Sequence, residues 1–450
     1  MPTATRLVVY LSLLSSLALV ALGQGVAPYP LARTDRYFQA KTPMSPPPVN
    51  SVFKDPDFGS TMVRVTDENT NPKHRGWFFR NPAIGDANVW SADSRKFWVQ
   101  SQGGGLLAFG FDPQTLLSEP LIDVKSGKRL ALPLRAAASF SYVDPDLIYG
   151  TSSSNYLAIK SYRFSSGVTA TIIDTRTCGV QPALDPKSTN GDDLSISKTD
   201  GRFTISEGGR SVDTNMFVIV YDTTLGCRWL NTQTGQIGGT WGPKGTASVG
   251  TRFSIHHVYL SKGGDYVRIS QAGSSRVYLW NVRTLNVTLC SPNCGGYMTE
   301  GYSHLINNPG TLDELDVRER LIRAPAHITA LVSPLKTPHQ FGAEKHYSWN
   351  NVDPSDSVPV CFTTYRYDSD GQIHGLWNEE ILCLETDGIA STMWRMGHHR
   401  ASWGDYFQTQ PLGNISLDGK FFMFTSAWDG QVGLTPQGQP RSDVWIVALQ

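Results

Sequence analysis

Three groups of histidine residues are the first candidates for chemistry in this sequence. They are His256-His257, His346 and His398-His399. Histidine is the commonest metal ligand in proteins and a natural acid or base near neutral pH. Together with Gln408, His346 and either His398 or His399 could hold a divalent ion such as manganese, calcium or zinc. The alternative for two adjacent histidines on a strand is one side chain in the core and one in solvent.

Arginine and tryptophan residues near these histidines extend the candidate site. They are Arg252, Arg395, Arg400, Trp349, Trp403 and Trp428. An arginine could neutralise an acidic group of a ligand. A tryptophan could stack on a sugar ring, although a buried aromatic core is the alternative. The sequence has no Gly-x-Ser-x-Gly elbow, phosphate loop or dinucleotide fingerprint, which argues against the enzyme classes that depend on them.

The charge and composition of the chain narrow the class of protein further. The 450 residues include 39 Lys plus Arg and 39 Asp plus Glu. This balance argues against nucleic acid as a partner, because nucleic-acid binding requires a basic surface. The 42 Gly and 27 Pro, together with Ser, Thr, Asn and Asp, separate short apolar runs. Such a pattern indicates many strands joined by turns.

A repeated unit must position the candidate residues. It consists of a polar turn rich in Ser, Asp and Gly, an apolar or aromatic strand, and a further strand. Units of this kind begin near residues 90, 141, 195, 258, 347 and 415. In such turns Ser and Asp bond the local backbone, and Gly adopts the positive φ. One four-stranded unit cannot bury both of its faces alone, whereas radially packed units can, so we predict an all-β β-propeller.

The two ends of the sequence predict how the ring closes. Residues 443–449 match the third strand of the other units, and residues 61–66 are the candidate for the missing fourth strand. Pairing these segments would leave no long sheet edge exposed. The long interval between the fourth and fifth units could hide another blade, so we predict seven blades, with six as the alternative. Residues 311–321 form the one segment whose pattern is compatible with a helix.

The predicted fold also says where the candidate residues should meet. Propellers place the first strand of every blade around a central channel. The histidine groups lie where such strands are entered, so we expect them to converge on one funnel. Residues 51–450 are therefore predicted to form a single propeller domain with a ligand site at its channel.

Several segments resemble known propeller families. The Ser-x-Asp-Gly turns that precede Lys or Arg and an aromatic residue are similar to those of TolB-like propellers. The C-terminal third also resembles oligogalacturonate lyases, which are seven-bladed, metal-dependent enzymes. The matching segments are Ile255-His-His-Val258, His346-Tyr-Ser-Trp349, the run from Phe407 to Gly419, and Phe424-Thr-Ser-Ala-Trp428. A broader group of secreted bacterial propellers without assigned chemistry is similar as well.

The resemblance to the lyases implies β-elimination on a uronate-containing polysaccharide. His256 or His257 would abstract the proton beside the uronate carboxylate. The neutralising residue would be Arg252, Arg395 or Arg400, and the metal ligands would come from His346, His398, His399 and Gln408. The family has histidines where this chain has Gln410 and Leu412-Gly413. The sequence therefore departs from the family at ligand positions.

The N-terminus has the pattern of a secretory signal. Arg6 precedes the apolar residues 7–22, and Ala21-Leu22-Gly23 is a small-x-small cleavage site. The alternative is a membrane anchor, because this stretch approaches the length of a thin bilayer span. We predict a signal peptide over residues 1–23, an extended Pro-rich leader over residues 24–50, and a secreted or periplasmic monomer with no further membrane span.

Six cysteines follow the predicted signal, and an even number in an exported chain favours disulfides. Cys290 and Cys294 could close a tight loop. Cys361 and Cys383 are expected on neighbouring strands. We predict both as disulfides and leave Cys178 and Cys227 open between a third pair and free thiols.

Two functions remain open from the sequence. One is a metal-assisted lyase that acts on a uronate-containing polysaccharide. The other is a non-catalytic propeller whose funnel binds a glycan, a peptide or a protein. Histidines that share one cavity would favour the lyase, whereas histidines scattered between core and rim would favour the binding protein.

Overall fold

Seven antiparallel sheets make up the protein. The computed structural model describes residues 28–82, 87–135, 138–152, 155–180, 190–210, 213–247, 252–292, 294–295, 297–308, 317–332, 344–350, 353–365, 376–387, 392–401 and 406–450. Within these ranges the sheets are the blades of a β-propeller, and the prediction of an all-β, seven-bladed fold is confirmed.

The strands of the first three blades follow one another along the chain. The first two strands, β1 (Val52–Lys54) and β2 (Thr61–Arg64), belong to the last blade. Blade 1 contains β3 (Phe79–Arg80), β4 (Lys96–Ser101), β5 (Leu106–Phe111) and β6 (Ser118–Pro120). Blade 2 contains β7 (Ser139–Phe140), β8 (Leu147–Ser152), β9 (Asn155–Arg163) and β10 (Val168–Asp174). Blade 3 has six strands, β11 (Asn190–Ile196), β12 (Arg202–Gly209), β13 (Phe217–Asp222), β14 (Gly226–Asn231), β15 (Gln236–Gly239) and β16 (Gly245–Thr246).

The remaining blades repeat the same plan. Blade 4 contains β17 (Ile255–Leu260), β18 (Tyr266–Gln271), β19 (Val277–Asn281) and β20 (Val287–Leu289). Blade 5 contains β21 (Met298–Glu300), β22 (His304–Asn307), β23 (Val317–Leu321) and β24 (Ala324–Val332). Blade 6 contains β25 (Glu344–Ser348), β26 (Val360–Tyr365), β27 (Glu380–Leu384) and β28 (Met393–His398). Blade 7 contains β29 (Gly413–Ile415), β30 (Phe421–Ser426) and β31 (Asp443–Ala448), followed by β2 and β1.

The N-terminal strand closes the ring as predicted. In β2, Met62 lies opposite Val447 and Val63 opposite Ile446 of β31. The pairing is antiparallel, so the last blade is built from both ends of the domain. Strand β1 adds a fifth strand outside β2.

Blade 5 is the blade that the repeat count missed. It lies in the long interval between the fourth and fifth sequence units. The helix expected over residues 311–321 is wrong for residues 317–321, which form β23 and pair with β22 and β24. Pairing on both sides overrides the local helix-compatible pattern. The first part of that prediction, residues 311–316, lies outside the described residues.

The Ser-x-Asp-Gly turns form the local hydrogen bonds that the sequence predicts. In blade 7 the Ser416 hydroxyl lies 2.6 Å from the Asp418 carboxylate and accepts the N–H of Phe421 at 3.0 Å. Gly419 completes the turn with a φ of 70°. In blade 1, Ser91 bonds Asp93 and the N–H of Lys96 in the same way. These local bonds turn the chain from the innermost strand of a blade into its second strand.

All six cysteines are paired. The predicted disulfides Cys290–Cys294 and Cys361–Cys383 are confirmed, and Cys178–Cys227 is the third pair. Cys361 and Cys383 lie directly opposite each other on β26 and β27, with their Cα atoms 4.0 Å apart.

The segment before β1 lies against blades 6 and 7. The carbonyl of Arg33 accepts the N–H of Arg395 at 2.8 Å, and the carbonyl of Met44 accepts the indole N–H of Trp428 at 2.9 Å. Residues 1–27, which include the predicted signal peptide, lie outside the described residues. No helix in the described part of the chain is long and apolar enough to span a membrane.

The blade topology defines one face of the molecule on which loops gather. The first strand of each blade borders the channel, and the first strands of neighbouring blades contact one another, for example β11 with β17 and β25 with β29. Because neighbouring strands alternate in direction, two sets of connections emerge on the same face. These are the connections between blades and those between the second and third strands of a blade. We call this side the entry face.

Candidate functional site

The predicted site residues divide between the channel and the rim of the entry face. His256 and His257 lie at the start of β17, and His346 lies on β25, both innermost strands. Gln408 precedes β29, within a short 3-10 turn over Phe407–Thr409. His398 ends β28, the outermost strand of blade 6, and His399 follows it. The channel mouth therefore contains His256, His257, His346 and Gln408. The His398-His399 pair lies at the rim instead.

His257 forms a pair with a buried carboxylate. Its Nδ1 lies 3.1 and 3.2 Å from the two carboxylate oxygens of Asp193, which is on β11 of the preceding blade. Asp193 is 2% exposed, whereas the His257 ring is 28% exposed. A carboxylate that accepts Nδ1–H holds the imidazole in one tautomer and leaves Nε2 as the basic nitrogen. This is the arrangement of an oriented general base.

His256 lies beside this pair and has a carboxylate of its own. Its Nδ1 is 2.5 Å from Asp213, which comes from the connection between β12 and β13 on the entry face. The rings of His256 and His257 are 3.8 Å apart. Two imidazoles, each paired with an aspartate, thus lie next to each other where blade 3 meets blade 4.

Local irregularities of the strands explain this placement. Adjacent residues of a regular strand point to opposite faces. The pairing of β17 with β18 shifts register between Ile255 and His257, so the two histidine rings come together on one side. Asp193 has a φ of 59°, and the pairing of β11 with β12 shifts register on either side of Asp192. Such bulges redirect side chains and are common next to functional sites.

His346 is enclosed next to the channel. Its side chain is buried and hydrogen-bonded to the side chain of Gln410, and the Tyr297 ring lies 4.3 Å away. Burial lowers the pKa of His346 to about 3. The ring is therefore neutral at every pH at which the protein is expected to work.

His399 has both ring nitrogens engaged by the backbone. Nε2 donates to the carbonyl of Thr364 at 2.8 Å, and Nδ1 accepts the N–H of Ala401 at 3.0 Å. Burial lowers its pKa to about 3. With no lone pair left for an ion, His399 has the bonding of a structural histidine that fastens the connection after β28.

His398 belongs to a group that the sequence did not single out. Asp55, Asp57 and His398 offer ligand atoms within 4.8 Å of one another, and they are the one such group of His, Cys, Asp or Glu in the described ranges. Asp55 accepts the N–H of Asp57 and of Phe58, both at 2.9 Å. Asp57 lies 3.0 Å from the His398 Nδ1. It also accepts the hydroxyl and N–H of Thr42, and an Arg400 nitrogen lies 3.9 Å away. These donors satisfy the carboxylates and fasten residues 42–58 to blade 6.

The metal ligands implied by the resemblance do not fit one ion. His346 and His398 lie on the first and fourth strands of blade 6, and three inter-strand spacings amount to roughly 14 Å. Zinc or manganese ligands lie about 2 Å from the ion. His399 has no free lone pair, and Gln408 lies on the connection between blades 6 and 7. The described residues therefore form no common donor set of the implied kind.

Two of the three predicted neutralising arginines are structural residues of the rim. Arg395 is fully buried and donates to both oxygens of Glu380 at 2.8 and 2.6 Å. Arg400 is fully buried, donates to the carbonyl of Thr42 and lies near Asp429. Arg252 is exposed, three residues before β17. Of these, Arg252 is the exposed one, and it lies four residues before His256 in the sequence.

The tryptophans predicted to stack on sugar are core residues where they are described. Trp349 is 1% exposed and donates its indole N–H to Val358. Trp428 is fully buried and stacks on Trp445 with ring centres 3.9 Å apart. Trp403 lies outside the described residues. Exposed aromatic rings of the entry face include instead Tyr297, Tyr406 and Phe407, at 36%, 39% and 46% exposure.

Comparison with known proteins identifies the fold. No protein-family model and no curated protein matches the chain. Among solved structures, an oligogalacturonate lyase from Vibrio parahaemolyticus matches over 88% of this chain and 96% of its own, with a TM-score of 0.55 and 12% identity. The two proteins share one fold. The WD40 repeats of RRP9 match with a TM-score of 0.42 and 11% identity, over 83% of this chain and 98% of theirs.

Sequence reasoning singled out the two histidines of the candidate site but not the carboxylates that pair with them. Asp193 and Asp213 come from blade 3, distant along the chain from His256 and His257. The available signal was that Asp192-Asp193 opens the strand that precedes the histidine strand around the ring. Nothing local in the sequence marks Asp213 as a partner, because it lies in a loop whose path depends on the packing of two blades.

Proposed function

We propose that this protein is an exported polysaccharide lyase that acts on an acidic glycan at the mouth of its channel. The observation that carries the proposal is the His257–Asp193 pair on innermost strands, with His256–Asp213 beside it. The fold shared with an oligogalacturonate lyase supports a uronate-containing chain as the substrate class. The signal-like residues 1–23 and three disulfides support export, since disulfides persist in oxidising compartments.

The reaction that suits this geometry is β-elimination. The carboxylate of a uronate makes the proton on the neighbouring ring carbon acidic. His257, held by Asp193, takes that proton on Nε2, and the electron pair of the C–H bond forms the new carbon–carbon double bond. The bond to the glycosidic oxygen breaks, and that oxygen takes a proton. His256, paired with Asp213, is placed to donate it.

The proposal uses no metal step, because the implied ligands do not fit one ion. His257 and His256 supply the proton transfers, and an arginine is left to neutralise the substrate carboxylate. Arginine is suited to this role because its planar fork matches the two oxygens of a carboxylate.

The test is release of unsaturated product from polygalacturonate and from other uronate polymers, followed by absorbance in the near ultraviolet. His257→Ala should lower the rate by about 100-fold or more, because it removes the base. Asp193→Asn should lower the rate while leaving the folded structure intact. The matched control is His327→Ala, which removes an exposed histidine from β24 on the outer side of blade 5.

Failure of the wild-type protein to release unsaturated product from any uronate polymer would overturn the lyase proposal. The second candidate, a non-catalytic glycan-binding propeller, is favoured by one observation, the separation of the expected metal ligands between channel and rim. Binding of the polymer without cleavage would establish that candidate instead. An unchanged rate in His257→Ala would place the chemistry elsewhere.

A further inference from the structure

A cation without a partner lies on the entry face where blade 7 meets blade 1. It is Arg80, the last residue of β3. In the described part of the chain no hydrogen bond or ion pair reaches its guanidinium group, and its Nη1 is buried. The Gln408 Nε2 is a second buried donor that has no partner among the residues that the structure describes. Both residues lie on chain segments that enter innermost strands.

The two segments lie side by side. The hydroxyl of Ser442 is 2.9 Å from the carbonyl oxygen of Phe79 and 2.7 Å from that of Gln408. This hydroxyl holds the residue before Arg80 next to the short turn that carries Gln408. Phe407, in the same turn, has its ring centre 4.8 Å from the Arg80 guanidinium carbon. An exposed aromatic ring and two unused donors therefore share one location.

In the described structure the other buried arginines all have hydrogen-bond acceptors, which are carboxylates except for Arg228 and Arg320, whose acceptors are backbone carbonyls and the Asn307 side chain. Arg395 has Glu380, Arg64 has Asp443, and Arg268 has Glu300. Burial shifts the pKa of Arg80 downward, and no acidic group among the described residues offsets this shift. A guanidinium remains charged in proteins, so burial without a counter-ion costs free energy. The contact of its cation with the Phe407 ring recovers part of that cost.

We propose that Arg80 and Gln408 form a carboxylate-binding subsite of the channel mouth, in which Arg80 neutralises the acid group of the glycan. The planar carboxylate accepts from the Arg80 Nη1 and the Gln408 Nε2, and the sugar ring lies against Phe407. A fixed guanidinium in this place supplies the positive charge that the resemblance assigns to a metal. The choice of a uronate as the ligand rests on the proposed function.

The binding test compares an acidic probe with its neutral form. Trigalacturonate and its fully methyl-esterified form are titrated into the whole protein by calorimetry. Arg80→Gln should weaken binding of the acid about tenfold or more, because hydrogen bonds to charged groups are the stronger ones. Its affinity for the methyl ester should stay within about twofold. Arg163→Gln, which removes an exposed arginine paired with Asp144, is the control and should bind both probes as the wild type does.

A stability test needs no ligand. If Arg80 is kept for binding, Arg80→Met should unfold at the same temperature as the wild type or higher, because it removes an uncompensated buried charge. Arg64→Met, which leaves Asp443 with one partner fewer, is the contrast and should unfold at a lower temperature. A clear loss of stability in Arg80→Met would make Arg80 a structural residue and overturn the proposal.

The outcomes separate this inference from the lyase proposal. Equal binding of the acid by wild type and Arg80→Gln, or no binding by either, overturns the subsite. Arg80-dependent binding without release of unsaturated product supports the subsite and overturns the lyase. Binding by His257→Ala at wild-type affinity, together with its loss of turnover, supports both.

Discussion

Two buried histidines make the stability of this fold depend on pH. His346 and His399 are neutral in the folded protein, because burial lowers the pKa of each to about 3 from 6.5. In the unfolded chain both rings become charged as the pH falls below 6.5. At these two sites the unfolded state then binds more protons than the folded state, so the contribution of the two histidines to stability is lost progressively between about pH 6.5 and pH 3.

We expect His399→Gln to show this effect directly. The variant loses the two backbone hydrogen bonds of the ring and is less stable than the wild type at pH 7. The loss in free energy of unfolding relative to the wild type should be smaller by about 2 kcal/mol at pH 4.5 than at pH 7. The reason is that only the wild type must keep an imidazole uncharged at the lower pH. Urea unfolding at both pH values measures the difference. A cost that is the same at pH 4.5 and pH 7 would contradict the buried, neutral histidine.

At the scale of elements, register shifts in two strands and one disulfide position the residues of the candidate site. The register shift in β17 brings His256 and His257 together, and a shift in β11 directs Asp193 towards them. The Cys178–Cys227 disulfide ties the 3-10 turn after β10 to β14 of blade 3. Blade 3, which carries both aspartates of the candidate site, is therefore anchored to blade 2.

The three disulfides should differ in their contribution to stability. They close loops with sequence separations of 49, 22 and 4. In the chain-entropy model the Cys178–Cys227 link is worth about 4 kcal/mol and the Cys290–Cys294 link about 2 kcal/mol. Serine pairs at each position, compared by thermal unfolding under non-reducing conditions, test the order. A larger loss for Cys290–Cys294 than for Cys178–Cys227 would contradict the model for this protein.

The whole molecule depends on one seam, the pairing of β2 with β31. Arg64 of β2 donates to Asp443 of β31 at 2.6 Å, and Arg441 donates to the same carboxylate at 2.8 Å. Asp443 is fully buried, and burial raises its pKa to about 6 despite the two arginines. The seam thus combines backbone pairing with a buried charge network that binds both ends of the domain.

Opening the seam should unfold the ring as a whole. A chain that ends at Ser442 lacks β31 and leaves β2 and β30 as exposed edges. We expect it to lose cooperative thermal unfolding and to aggregate. The control ends at Leu449 and lacks only the exposed Gln450, so it should unfold like the full chain. A truncated chain with a sharp transition would show that the ring does not require closure.

The fold could be predicted because its determinants are local. Ser416, Asp418 and Gly419 form their turn from neighbouring residues, and alternating apolar strands record which side is buried. Such units repeat along the chain, so six blades and the closing strand followed from counting, and the seventh was inferred from the long interval between the fourth and fifth units. The count missed blade 5, whose turns lack the repeated motif, and residues 317–321 were assigned to a helix because their strand partners are set by tertiary packing.

The chemistry of the site was decided by the tertiary structure. Residue types alone predicted four site residues with equal support, namely His257, His399, Arg400 and Trp428. Packing then paired His257 with a carboxylate at the channel, engaged both nitrogens of His399 with the backbone, and buried Arg400 and Trp428 at the rim. Arg80 could not be recognised from the sequence, because the lack of a counter-ion among the described residues is a property of its three-dimensional surroundings. Local sequence thus determined the blades, and long-range packing determined which side chains can meet a ligand.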